Sequence, residues 1–270
     1  MNLIQINGVG LEVHQIQASA GAAARCPIVF LHEGLGSVAM WRDWPEQVCE
    51  ATGRAGLVYS RQGYGQSKPV PDVRGDPAQR EGQRSGRLLP DYLHREAFDV
   101  LPALLQELSI PAPVLLGHSD GGSIALLHAS RNPVTACIVM APHVIVEDIS
   151  VQSIAQARLA YETGDLRQRL ARYHAEVDCA FWQWNDVWLS QAFRSFDIRE
   201  DCRHIQAPVL AIQGVDDPYG SMAQIEQIRP DQPANGRVTL QKLQQCGHSP
   251  HRDQAALTTT LVQAFLAELP

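Results

Sequence analysis

Three things are scarce in this 270-residue chain, and each scarcity removes a class of function. Basic charge is the first: 22 lysines and arginines stand against 29 aspartates and glutamates, a formal net charge of −7. A chain of that sign builds no overall electropositive field to hold nucleic acid or an anionic membrane. Long apolar runs are the second, since none approaches the ~20 residues that a membrane-spanning helix requires. The start, MNLIQINGVGLEVHQIQ, alternates polar and apolar residues instead of placing an apolar stretch behind a basic one, so it does not read as a signal peptide. Paired cysteine is the third: Cys26, Cys49, Cys137, Cys179, Cys202 and Cys246 lack the C-x-x-C spacing of zinc or redox sites and read as reduced thiols. The expectation is a cytoplasmic protein with a small-molecule substrate and no nucleic-acid or membrane partner. Its oligomeric state is left open.

What is present has an α/β rhythm. LIQI (3–6) and LEVHQIQ (11–17), separated by NGVG, alternate with period 2, as in an antiparallel hairpin at a sheet edge. PIVFLH (27–32), GLVYS (56–60), PVLLGH (113–118), TACIVMA (135–141) and PVLAIQG (208–214) are short continuous apolar runs, the mark of strands covered on both faces; RVTLQ (237–241) is a weaker case. Helical stretches fall between them near 40–50, 90–108, 119–131, 220–228 and 252–268. This order predicts a mostly parallel eight-stranded sheet with helices on both faces.

Two segments break the rhythm. Residues 66–89, rich in Pro, Gly, Gln and Arg, read as a long surface loop with Arg74, Arg80, Arg84 and Arg87 on a solvated face. Residues 143–206 read as a helical cap inserted into a core made of 1–142 and 207–270. The cap carries Trp182, Trp184 and Trp188, expected at a pocket over the carboxyl ends of the strands. The only low-complexity tract is AGAAA at 20–24.

The chemistry is concentrated in GHSDG (117–121), which fits G-x-S-x-G directly after a strand and before an apolar helix. A serine at that turn is forced into a strained conformation, tolerated because glycines flank it, and its hydroxyl projects above the sheet. Ser119 is therefore the candidate nucleophile. A serine hydroxyl needs a base held by a third group. His248 in QQCGHSPHRD follows the last strand and is the candidate base, with His251 as the fallback. Asp216 and Asp217, in the loop after PVLAIQG, are the candidate acids. An oxyanion needs two backbone N–H donors, worth roughly 3 kcal/mol each: Asp120 supplies one, and the turn His32-Glu33-Gly34-Leu35-Gly36 the other, with Gly34 before Leu35.

With these residues in place the chain resembles the α/β-hydrolase superfamily over nearly its whole length. LHEGLGS with Met40-Trp41 is similar to the family's HG-x-x-G…W segment, with Glu33 in place of a glycine. YSRQGYGQS (59–67) is similar to D-x-x-G-x-G-x-S, with Ser60 in place of the aspartate. The resemblance implies an acid three positions after the strand-ending glycine, which selects Asp217. GHSDGG is also similar to the nucleophile motif of the valacyclovirase-like (biphenyl hydrolase-like) group, where the acidic residue after serine recognises a substrate ammonium. That implies the same role for Asp120, assisted by Glu33; the alternative is that Asp120 turns away and lends only its N–H. Glu33, Leu35, Trp182, Trp184 and Trp188 are the expected substrate contacts.

The leading expectation is hydrolysis of a carboxylic ester or similar acyl bond, with no metal or organic cofactor. Carbon–carbon bond hydrolysis of the meta-cleavage type would use the same triad. A non-enzymatic scaffold would be expected to lose a triad residue, and a dehalogenase would need a carboxylate at position 119.

Overall fold

A computed structural model of the chain describes residues 2–18, 25–77, 79–80, 83–229 and 238–269; the AGAAA tract and the start of RVTLQ lie outside them. β1 (Asn2–Ile6) and β2 (Val9–Ile16) form the edge hairpin, turned by Asn7 and Gly8 at φ 50° and 78°, which suits an Asn-Gly pair. β3 (Ile28–Leu31) leads through a 3-10 turn (Val38–Trp41) to α1 (Trp44–Thr52) and β4 (Gly56–Tyr59). The long loop that follows contains a two-residue ribbon, Gln79–Arg80 against Gln83–Arg84. Tyr92–Arg95, a π-wound turn Glu96–Val100 and Leu101–Glu107 then run on as one helical segment, α2.

β5 (Val114–His118), α3 (Asp120–Arg131) and β6 (Ala136–Met140) complete the first half. Between β6 and the next strand lie α4 (Asp148–Thr163), α5 (Leu166–Leu170), α6 (Val177–Trp188), a 3-10 turn (Gln191–Ser195) and α7 (Arg199–Arg203). β7 (Val209–Gly214), α8 (Ala223–Glu226), β8 (Val238–Leu243), α9 (Pro250–Asp253) and α10 (Ala255–Ala267) close the chain. The single helix expected at 252–268 is thus two, separated at Gln254. Among the described residues no helix is long and apolar enough to cross a membrane.

The sheet order is β1-β2-β4-β3-β5-β6-β7-β8, antiparallel at β1-β2 and β2-β4 and parallel from β4 onwards. Alternate residues of each central strand feed opposite cores. Phe30, Leu116, Ile138 and Ile212 pack with Trp41, Trp44 and Val262 on one face; Val29, Leu115, Val139 and Ala211 pack with residues of α2 and α3 on the other. Burial on both faces is why these strands read as unbroken apolar runs. The chain crosses from β4 to β5 past β3, so the loops leaving β3 and β5 flank the point where the winding reverses. A crevice opens there in open α/β sheets.

α3 lies hard against β3: a methyl group on Gly121 would come within 2.0 Å of the Leu31 carbonyl oxygen. Backbone on backbone cannot yield as a flexible side chain would. Gly121→Ala is therefore expected to destabilise the fold by about 3 kcal/mol, measured as a lower urea midpoint at unchanged m-value.

Candidate active site

β5 delivers Ser119 at φ 53° and ψ −119°, a region that costs a non-glycine residue about 1–3 kcal/mol. The turn is pinned on both sides. Ser119 N–H donates to the Met140 carbonyl (2.9 Å), and its own carbonyl accepts from Ser123 N–H in α3 (3.0 Å).

At the end of β7 the two neighbouring aspartates diverge: Asp216 is exposed and Asp217 is buried. Asp217 Oδ1 accepts from Tyr219 N–H (2.8 Å) and Oδ2 from the Gln213 amide (3.3 Å), while His248 Nδ1 lies 2.9 and 3.0 Å from the two oxygens. Burial pushes the Asp217 carboxyl up, but the hydrogen bonds from His248 and Tyr219 outweigh it and hold the group below the usual carboxylate range. An ionised partner makes Nδ1 the proton-bearing nitrogen, so Nε2 carries the lone pair that a base needs. His251 is instead buried among Trp41, Trp44 and His118 and bonds no carboxylate among the described residues.

Ser119 and His248 line one cavity of about 210 Å³. Glu33, Gly34, Leu35 and Asp120 also line it, and Ile154, Trp184 and Trp188 come from the helices between β6 and β7. Among the described residues no hydrogen bond joins Ser119 Oγ to His248; catalytic hydrogen bonds often tighten only once substrate is bound.

The turn after β3 is held by charge. Arg61, 2% exposed, donates to the His32 carbonyl (2.7 Å) and to the Glu33 carbonyl (3.0 Å). His32 Nδ1 donates to the same Glu33 carbonyl (2.7 Å), and its Nε2 accepts from Arg61 N–H (3.1 Å). Those two roles describe a neutral ring, and burial lowers its pKa accordingly. A trans peptide directs its N–H opposite its C=O, so saturating the Glu33 carbonyl points the Gly34 N–H away from Arg61. Trp184 presses on the same turn: a methyl group on Gly34 would meet its indole nitrogen at 2.1 Å.

The carboxylates proposed for ammonium recognition are already committed. Asp120, 1% exposed, accepts from the Tyr92 hydroxyl (2.6 Å) and the Trp188 indole (3.2 Å) and lies 3.8 Å from Arg61. Burial raises its carboxyl, and these partners reverse only part of that rise. Glu33 sits 3.5 Å from His118 Nδ1 and 3.3 Å from Arg252; burial opposes its charge, but these two neighbours hold it well below the carboxylate range.

Trp182 is not in the cavity. Its ring lies between the guanidinium groups of Arg74 (4.1 Å) and Arg158 (5.4 Å). Arg84 is half-buried instead of standing on a solvated face, and it donates to Gln183 and to the Gly86 carbonyl. Ser60, where the resemblance expects an aspartate, donates to Glu12 Oε2 (2.7 Å), which also accepts from Gln66 N–H (2.9 Å). A buried carboxylate from β2 thus lies beside this loop, bonded to Ser60 and to Gln66 N–H. Arg61, Tyr92, His143 and Tyr219 were not singled out in the sequence, where only the position of Arg61 inside YSRQGYGQS marks any of them.

The same fold occurs in solved structures of distant sequence. An enol-lactonase from Burkholderia xenovorans is 19% identical, covers 98% of this chain and 100% of its own, and superposes with a TM-score of 0.69. An esterase from Exiguobacterium antarcticum is 18% identical with 99% of both chains covered and a TM-score of 0.72. A meta-cleavage product hydrolase from Pseudomonas fluorescens is 16% identical, covers 99% and 98%, and gives 0.70. A model of the alpha/beta hydrolase family matches residues 28–259, most of the chain, and the protein is therefore a hydrolase belonging to that family.

Proposed function

We propose that this hydrolase cleaves a carboxylic ester or related acyl bond of a small molecule through an acyl-enzyme on Ser119. The observation that carries the reading is the two-oxygen pairing of Asp217 with His248 Nδ1 beside a serine held at φ 53° in the same cavity. Ser119 Oγ attacks the carbonyl carbon and passes its proton to His248 Nε2. The resulting oxyanion is met by the N–H groups of Gly34 and Asp120. His248 then protonates the departing alkoxide, and water, deprotonated by the same ring, releases the acid and restores Ser119. No metal or organic cofactor enters these steps. Residues 143–206 act as the cap, with Leu35, Trp184 and Trp188 as apolar contacts to the acyl group.

Ser119→Ala is expected to lower kcat on p-nitrophenyl acetate by at least about 10⁴-fold and to abolish labelling by a fluorophosphonate. Undiminished turnover would sink the reading. Asp217→Asn leaves the geometry but inverts the favoured His248 tautomer and is expected to cost about 10⁴-fold in kcat, while Asp216→Asn stays near wild type.

Arg61→Lys keeps the buried charge but cannot serve the His32 and Glu33 carbonyls together. Steady-state kinetics should show kcat reduced by about 10²-fold, the scale of one oxyanion donor, with KM nearly unchanged. A change confined to KM would mean that Arg61 does not orient the oxyanion turn.

A further inference from the structure

We propose that the cleft between α5 and the 3-10 turn after β3 binds an anionic group, a carboxylate or phosphate, through Arg42, Arg172, Arg169 and Arg252. The cleft encloses about 270 Å³, and Met40, Leu166 and Leu170 give it an apolar wall. Its four arginines come from three separate stretches of a chain whose net charge is −7.

The pairing of these arginines is incomplete. Arg169 faces Asp165 (3.3 Å), and Arg252 faces Glu33 (3.3 Å) while also donating to the Met40 carbonyl (3.0 Å). Among the described residues Arg172 meets no carboxylate, only the Arg169 carbonyl (3.3 Å) and the Tyr173 ring (5.9 Å), and the Arg42 guanidinium has no partner. Five surface arginines elsewhere each face a carboxylate, Arg74 with Asp186, Arg158 with Glu162, Arg167 with Asp178, Arg194 with Asp148 and Arg199 with Asp197, whereas Arg25 and Arg229, far apart from each other in the chain, bond backbone carbonyls. The cleft therefore holds a local surplus of two positive charges. Arg42 is placed there at φ 56° and ψ −133°, close to the conformation of Ser119 itself and uncommon for a side chain of its size.

Guanidinium forks match the paired oxygens of carboxylates and phosphates. The apolar wall suits an anion carried on carbon. Arg252 lines this cleft and holds Glu33, which lines the catalytic cavity, so the two spaces lie on either side of one ion pair. The anion is either an acid group on the substrate itself, reaching out of the catalytic cavity, or a free anion bound beside it. The first source rests on the ester-hydrolase reading; binding of a free anion does not.

The test compares wild type with Arg42→Gln/Arg172→Gln, and with Arg42→Gly/Arg172→Gln in case glutamine at φ 56° impairs folding. Calorimetric titration with malonate and with inorganic phosphate is expected to show saturable binding, weakened at least about tenfold in the variants. In parallel, kcat/KM is measured for p-nitrophenyl acetate and for the mono-p-nitrophenyl ester of glutarate. The anionic-to-neutral ratio is expected to fall about tenfold through KM, with kcat on the acetate unchanged. Binding with an unchanged ratio assigns the site to a free anion, and a fallen ratio without free-anion binding assigns it to the substrate's own acid group. No saturable binding together with an unchanged ratio overturns the proposal. If neither ester is turned over, the ester reading fails and the titration alone decides the site.

Discussion

The buried guanidinium of Arg61 is the interaction on which the geometry of the proposed active site depends. A cation this far from water is tolerable only if its donors are met by acceptors. Here the acceptors are the His32 and Glu33 carbonyls, with Asp120 3.8 Å away and the Tyr64 ring beneath it at 4.9 Å. Burial works against the charge, and Tyr64 and Asp120 more than restore it. Meeting that demand draws together the turn after β3, the loop after β4 and the first residue of α3. These are the segments that supply the two proposed oxyanion donors.

The same demand reaches the helices above the sheet. Asp120 is shared among Arg61, Tyr92 and Trp188, and Trp188 also donates to the Tyr92 hydroxyl (2.9 Å), so α6 is tied to α2 and to the residue after Ser119. Removing one member of such a network leaves another buried and unmatched, which costs about 3–5 kcal/mol for a charged group. That stake explains why an acidic residue beside Ser119 need not recognise substrate. Its two oxygens are already occupied within the protein, and the uncommitted charge near the site has the opposite sign, in the arginines of the neighbouring cleft.

Much of this was legible in the chain. Ser119, Asp217 and His248 each follow a strand-like run, and a parallel sheet carries such loops to one edge. Periodicity also separates the tryptophans: Trp184 and Trp188 are four residues apart and share a face of α6, whereas Trp182 is set about 200° from Trp184. Reading FWQWNDVW as one cluster, instead of by helical phase, placed Trp182 in the pocket. The partners of Arg61 and Asp120 were not legible, because Tyr92 and Trp188 lie 28 and 68 residues from Asp120 and no local pattern joins them. The same holds for Glu12 and Ser60, 48 residues apart. The break at Gln254 and the π-wound turn at Glu96–Val100 fall inside helical patterns that continue on both sides, so spacing alone could not reveal them.

Three histidine rings line the cavity with Ser119, a fourth, His251, packs behind His118, and burial separates them as candidate bases. His118, His143 and His251 lie near one another or near His248 at centroid distances of 4.8–5.9 Å, close enough that several protonated rings would repel. Burial lowers His143 to about 3 and also drives His251 well below its ordinary value, so both stay neutral. His118 spends Nε2 on the His248 carbonyl (2.7 Å), and its Nδ1 faces Glu33 at 3.5 Å without a hydrogen bond. His248 alone has one nitrogen fixed on a carboxylate, and its ring lies in the cavity with Ser119. Burial therefore points to the same ring as hydrogen bonding does, and in the proposed mechanism a proton leaving Ser119 has the Nε2 of His248 to receive it.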